Sequence, residues 1–146
     1  MLRDDFKLKG RVDLVLSDPT GAVKEVITVP NLVVNTGKNF IAHRMADAGN
    51  TVMSHMAVGT DNTAAALTDT ALITESARVS LTGNAASANS VVYTASFPPG
   101  TATDALVEAG IFNNSSGGEM LCRTVFAVVN KGASDTLNVT WTVSTT

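Results

Sequence analysis

A chain of 146 residues and 15.1 kDa is long enough to bury one hydrophobic core, and is read as a single domain over residues 1–146. Hydrophobic residues make up 45% and charged residues 16%, which excludes an intrinsically disordered chain. A net charge of -3 and a pI near 5.2 argue against an electrostatic nucleic-acid binder, because the basic Arg3, Lys7, Lys9 and Arg11 are offset by Asp4, Asp5 and Asp13. No stretch is apolar enough to span a bilayer, and the first ten residues lack the apolar core of a signal peptide, so no membrane partner and synthesis in a cytoplasm are expected. The single cysteine, Cys122, excludes an internal disulfide.

From residue 6 to 16 the chain alternates. Phe6, Leu8, Val12, Leu14 and Leu16 fall on one face, with Lys7, Lys9, Arg11 and Asp13 on the other, the period of a strand with one wet side. Asp18-Pro19-Thr20-Gly21 predicts a turn, residues 23–29 the return strand, and Pro30 its end or its place at an edge. Leu32-Val33-Val34 resumes an extended run. Residues 1–34 thus read as an N-terminal hairpin and an assembly arm. A helix is predicted over residues 36–48, capped by Asn35, with Phe40, Ile41, Arg44, Met45 and Ala48 on one face and Gly49-Asn50 ending it.

Residues 52–58 predict a strand. Residues 59–71 are small, polar and rich in Ala and Thr, and read as a long loop with one helical turn. Strands are expected over 77–81 and 90–97, separated by a polar connection over 83–89, and Pro98-Pro99-Gly100 stops the second. Residues 105–129 read as a β-hairpin around the polar loop Asn114-Ser115-Ser116-Gly117. With Asn113 facing Gly118, Gly110 falls opposite Leu121, Glu108 opposite Arg123 and Leu106 opposite Val125, so a carboxylate faces a guanidinium across the hairpin. Gly110, in an otherwise apolar strand, marks a bulge or a close backbone approach. Leu137, Val139, Trp141 and Val143 alternate in a closing strand. The fold class that follows is mainly β: a jelly-roll-like β-sandwich of seven or eight strands with one short helix.

No phosphate loop, dinucleotide fingerprint, paired-cysteine motif or nucleophile elbow is present. His43 and His55 lack a third ligand at metal spacing. Cys122 lies between apolar strand neighbours and reads as a buried, inert thiol. Asp61, Asp69, Glu75 and Asp104 are scattered carboxylates near loops, and neither Asp18 nor Asp61-Asn62 sits in the spaced acidic pattern of a calcium loop. Neither a cofactor, a metal nor a catalytic group is expected. Glu108 and Arg123 read as a fold-holding pair and Gly110 as a backbone-critical position.

An ordered set of short pieces carries a resemblance. It comprises Asn31-Leu32-Val33-Val34-Asn35-Thr36-Gly37-Lys38-Asn39-Phe40-Ile41, Met56-Ala57-Val58-Gly59-Thr60, Glu108-Ala109-Gly110-Ile111-Phe112, Leu121-Cys122-Arg123-Thr124-Val125-Phe126 and Thr136-Leu137-Asn138-Val139-Thr140-Trp141. Together they resemble a family of small tailed-bacteriophage virion proteins, and the pair around Glu108 and Arg123 is also similar to a β-hairpin module of phage tail-fibre and tail-collar proteins. The resemblance implies a non-enzymatic β-rich building block of the virion, commonly homotrimeric, that decorates the capsid as cement or sits in the tail. With no long shaft or coiled-coil stalk, capsid decoration is favoured, with the major capsid protein as partner. The alternative is a tail, baseplate or fibre component that binds a host-surface glycan, for which Tyr93 or Trp141 would give a stacking face. Candidate contacts lie in the N-terminal region (Phe6, Leu8, Val12, Leu32, Val33) and in the long loop (Asp61, Asn62).

Overall fold

The alternating N-terminal run folds as predicted into a strand, Leu8–Ser17 (β1), with Val12, Leu14 and Leu16 buried. The structure, a computed structural model, describes residues 6–146. Asp18 makes the turn: its Oδ1 accepts from the Thr20 and Ala22 amides and from the Thr20 hydroxyl, while Gly21 takes a φ of 86°. The return strand Val23–Pro30 (β2) is a sheet edge, where a proline without an amide proton is tolerated.

Four further strands are legible in the sequence, Ser90–Phe97 (β7) and Thr136–Thr145 (β10) by alternation and His55–Gly59 (β4) and Ala105–Phe112 (β8), buried on both faces, as apolar-rich runs. All fall within two residues of the predicted runs or on them, except that β4 starts three residues late. The return arm of the organising hairpin is Met120–Asn130 (β9) and the short strand after β2 is Leu32–Val33 (β3). Glu75–Ser80 (β5) precedes a strand that was expected to be a connection, Gly83–Ser87 (β6). Its sequence, Gly-Asn-Ala-Ala-Ser, has no β propensity; it is extended because β7 supplies a partner ladder at the edge of the sheet.

The ten strands form two antiparallel five-stranded sheets, β2-β1-β10-β7-β6 and β3-β9-β8-β4-β5, a β-sandwich with two or three more strands than expected. The chain crosses between sheets after β2, β5, β7 and β9. The N-terminal hairpin, β1 with β2, is part of the first sheet, and β3 joins the second. β1 is an interior strand between β2 and β10, and Val12 and Val33 are core residues rather than surface ones. The main core lies between the sheets, where Trp141, Phe97, Leu14 and Leu137 meet Met56, Ile111, Leu106 and Phe126. A second cluster, Val34, Ala57, Leu72, Phe112 and Met120, lies on the opposite face of the second sheet.

The helix Asn35–Met45 (α1) starts and stops differently from expectation. Its N-cap is Val34, without a side-chain cap bond; the Asn35 amide instead donates to the Leu67 carbonyl at 2.8 Å. It ends before Gly49 because Asp47 adopts a φ of 50° and the Ala48 amide closes back on the His43 carbonyl. Gly37 lets α1 lie directly on β9: a Cβ there would run into the Leu121 backbone carbonyl. The Thr36 hydroxyl fixes the same junction by donating to the Met120 carbonyl at 2.7 Å.

The organising hairpin holds, with a different register. The loop is longer than supposed, since Asn113 pairs with Glu119, and Gly117 and Gly118 both adopt positive φ. Register then shifts between Ile111 and Phe112 and again between Leu106 and Glu108. As a result Glu108 faces Val125, Arg123 faces Gly110 and Leu106 faces Val129. Gly110 serves close approach: a Cβ would sit 3.1–3.2 Å from Leu72, Met120 and Phe112. Gly110→Val is therefore expected to lose about 1–3 kcal/mol by overpacking, while Ser115→Val in the exposed loop stays within about 0.5 kcal/mol. Paired urea denaturations check this, and equal stabilities would contradict the packing above Gly110.

Candidate functional site

The most concentrated polar chemistry lies on the outer face of the second sheet, where a charged cluster is buried beneath a loop. Period-two alternation puts Glu108, Gly110 and Phe112 on one side of β8, and the shifted register brings Arg123 of β9 to that side. Glu108 and Arg123 are both fully buried. The Arg123 Nη2 and Nε donate to Glu108 Oε2 at 2.7 and 3.1 Å, a two-point contact made along the diagonal rather than directly across. The expected pairing is present; the facing positions are not.

The remaining valences of this pair are filled by residues 60–74, the loop between β4 and β5. Glu108 accepts the Ile73 and Thr74 amides at 3.1 and 2.8 Å. Arg123 Nη1 donates to the Thr63 carbonyl at 2.9 Å and to Asp69 Oδ2 at 3.2 Å. Gly59 is what allows the loop to turn there, since a Cβ would collide with the Thr74 carbonyl and the Glu108 carboxylate. Leu72, in the same loop, plugs the apolar cluster of Ala57, Phe112 and Met120. The loop is thus a strap bonded to the sheet at both ends, with no helical turn in it. Burying both charges is tolerable because almost every lone pair and donor has a partner.

Arg78 of β5 extends the same face. It lies 3.7 Å from the centre of the Phe112 ring, donates Nη1 to the Asn114 and Gly117 carbonyls at 2.9 Å, and pairs Nη2 with Glu75 at 2.8 Å. It therefore clasps the hairpin loop as Arg123 clasps the strap. Asp69 and Thr63 had no signal as partners in the sequence, because their roles depend on where a 15-residue loop comes to rest. Arg78 had none because its partners lie on the hairpin loop, 36 and 39 residues on.

The other expected residues fall as follows. Cys122 is fully buried, and burial pushes its thiol well above the ordinary range. His43 is exposed, and His55 is half-buried beside the Ser54 hydroxyl. Among the described residues no three His, Cys, Asp or Glu side chains come together to hold a metal. Trp141 is fully buried in the core and gives no stacking face. Tyr93 is mostly buried but lines a hollow beside α1, and burial pushes its hydroxyl up to about 12. Phe6, Leu8 and Leu32 edge a cleft beside α1. Asp61 and Asn62 stand at the start of the strap, where Asp61 accepts the Thr63 amide at 2.8 Å and is held below the usual carboxylate range by Thr63.

A further ion pair, between Lys24 and Asp135, lies on the first-sheet side. Asp135 accepts from Lys24 Nζ and the Gly132 amide, both at 2.8 Å, and the Lys24 bond holds its carboxyl below the ordinary 3.8. A carboxyl lowered by folding stabilises the native state above its ordinary pKa, and that stabilisation vanishes as pH falls through the lowered value. Asp135→Asn is therefore expected to be less stable than the native chain at pH 7, with the gap closing only below about pH 3.8. Thermal melts between pH 7 and pH 2 measure it, and a gap that widens on acidification would contradict the ion pair.

No family model, no curated protein and no solved structure matches this chain.

Proposed function

We propose that this chain is a non-enzymatic structural protein of a tailed-bacteriophage particle, a homotrimeric decoration (cement) subunit that stabilises the capsid shell. One observation carries the reading. Four of the five pieces that bear the resemblance fold into a single contiguous layer: residues 31–41 give β3 and the start of α1, 56–59 lie on β4, 108–112 on β8 and 121–126 on β9. These strands are consecutive neighbours in the order β3-β9-β8-β4. The four pieces, separated along the chain, thus meet in one physical unit, whose strands β8 and β9 are tied by Glu108 and Arg123. The fifth piece lies on β10, which is the central strand of the other sheet.

The chemistry of the chain supports the same role. A subunit that clamps capsomer junctions has to resist mechanical load, and a strapped sheet with a buried, multiply bonded ion pair suits that. In a glycan-binding fibre a ring that stacks on a sugar would need to be accessible, and Trp141 is fully buried here. The test is the copy number of this protein in purified virions relative to the major capsid protein, by quantitative mass spectrometry. About one copy per capsid subunit fits a lattice-coating protein. A ratio of a few per cent moves it to the tail or baseplate, and its absence from particles removes the virion reading.

A further inference from the structure

The surface that the charged strap does not explain is the apolar cleft between α1 and the start of β1. It comprises two hollows of about 570 and 450 Å³ that share Phe6, Leu8, Ile41 and Met45. Phe6 is 67% exposed and Met45 85%, so two large apolar side chains stand in water at its lip. Single exposed apolar residues are commonplace, but adjoining ones around a hollow are characteristic of a contact surface.

The rim of this cleft is basic. Lys7 and Lys38 edge one hollow and Arg44 the other, and among the described residues no Asp or Glu lines either. Arg44 is held at the rim by its bond to the Asn50 carbonyl at 2.9 Å. This runs against the net charge of -3 for the whole chain. A twofold contact of the cleft with the same cleft on a second copy would set these cations against one another, which costs affinity. An apolar floor inside a cationic rim is complementary to the opposite pattern.

We propose that this cleft docks an acidic segment of another protein, with apolar side chains seated in the two hollows and carboxylates against Lys7, Lys38 and Arg44. The inference rests on the cleft alone and does not depend on the virion reading, which particle copy number tests separately.

The experiment is fluorescence anisotropy of the full chain with a short fluorescein-labelled peptide of alternating Leu and Glu, against a control of alternating Leu and Lys. The acidic peptide is expected to bind saturably and at least about tenfold more tightly than the basic one. That advantage should shrink as salt is raised, because exposed charges are screened over about 10 Å at 0.1 M. Met45→Glu and Lys38→Glu alter exposed side chains, leave the core untouched and should each weaken binding about tenfold, with circular dichroism confirming the fold. Equal binding of the two peptides, no saturable binding, or affinity unchanged by both variants would each overturn the proposal. So would light scattering that shows an oligomer dispersed by Met45→Glu, which would make a second copy the occupant.

Discussion

Arg123→Met is expected to destabilise the protein by about 3–5 kcal/mol, the loss typical of removing one partner from a buried ion pair. The reason lies in what is left behind. Glu108 stays buried, holding only the Ile73 and Thr74 amides, while the Thr63 carbonyl loses its Arg123 donor and Asp69 keeps only the Ala66 amide. The strap over residues 60–74 is then bonded to the sheet at one end instead of both. Glu108→Gln should cost less, because a neutral amide oxygen can still accept from those amides and Arg123 keeps Asp69 and Thr63. The combination Arg123→Met with Glu108→Gln should recover part of the loss, since no bare carboxylate then remains buried. Urea denaturation of the four proteins measures these terms. A double variant no more stable than Arg123→Met alone would mean that the charge of Glu108 is not what makes the single change costly.

Trp141→Ala is expected to cost about 3–5 kcal/mol, the range for emptying a fully buried aromatic site. Trp141 is fully buried on β10, the central strand of the first sheet, and it fills the space between the two layers. It also has a polar task. Its indole Nε1 donates to Asn31 Oδ1 at 2.9 Å, and Asn31 sits where the chain leaves β2 for β3. Asn31 in turn lies against Gly10, where a Cβ would collide with the amide group. One ring thus anchors the crossover between sheets. Trp141→Phe separates the two roles, because it keeps most of the volume and removes the donor; it should cost about 1–3 kcal/mol through the orphaned Asn31 oxygen. Circular dichroism reports both unfolding curves, since this is the only tryptophan. A loss below about 1 kcal/mol for Trp141→Ala would contradict its place at the centre of the core.

The sequence by itself determined the fold class and most strands, because the strands of the first sheet have one face in the core and one outside, an asymmetry written as alternation. The central strands of the second are buried on both faces and read as apolar-rich runs. β1, β7 and β10 show it most clearly, and their buried residues are the ones that alternate. The turn at Asp18 and the isolation of Cys122 were equally local, set by residue type and immediate neighbours. The partnership of Glu108 with Arg123 was legible too, because both lie on one short hairpin.

Only the tertiary structure decided the rest. The hairpin register depends on two local shifts and a longer loop, none of which changes the hydrophobic pattern enough to be read. β6 has no pattern of its own and is a strand only because β7 lies beside it. The helix takes its first amide partner from Leu67, some thirty residues away in the chain, so a capping rule applied to Asn35 looked in the wrong place. The strap is the largest case. Its Ala- and Thr-rich sequence carries no periodic signal, since its order comes from bonds to Glu108 and Arg123 and from Leu72 seated on the sheet. Contacts of that kind join residues far apart in sequence, and their physical basis, desolvated charges brought together, exists only once the sheet has formed.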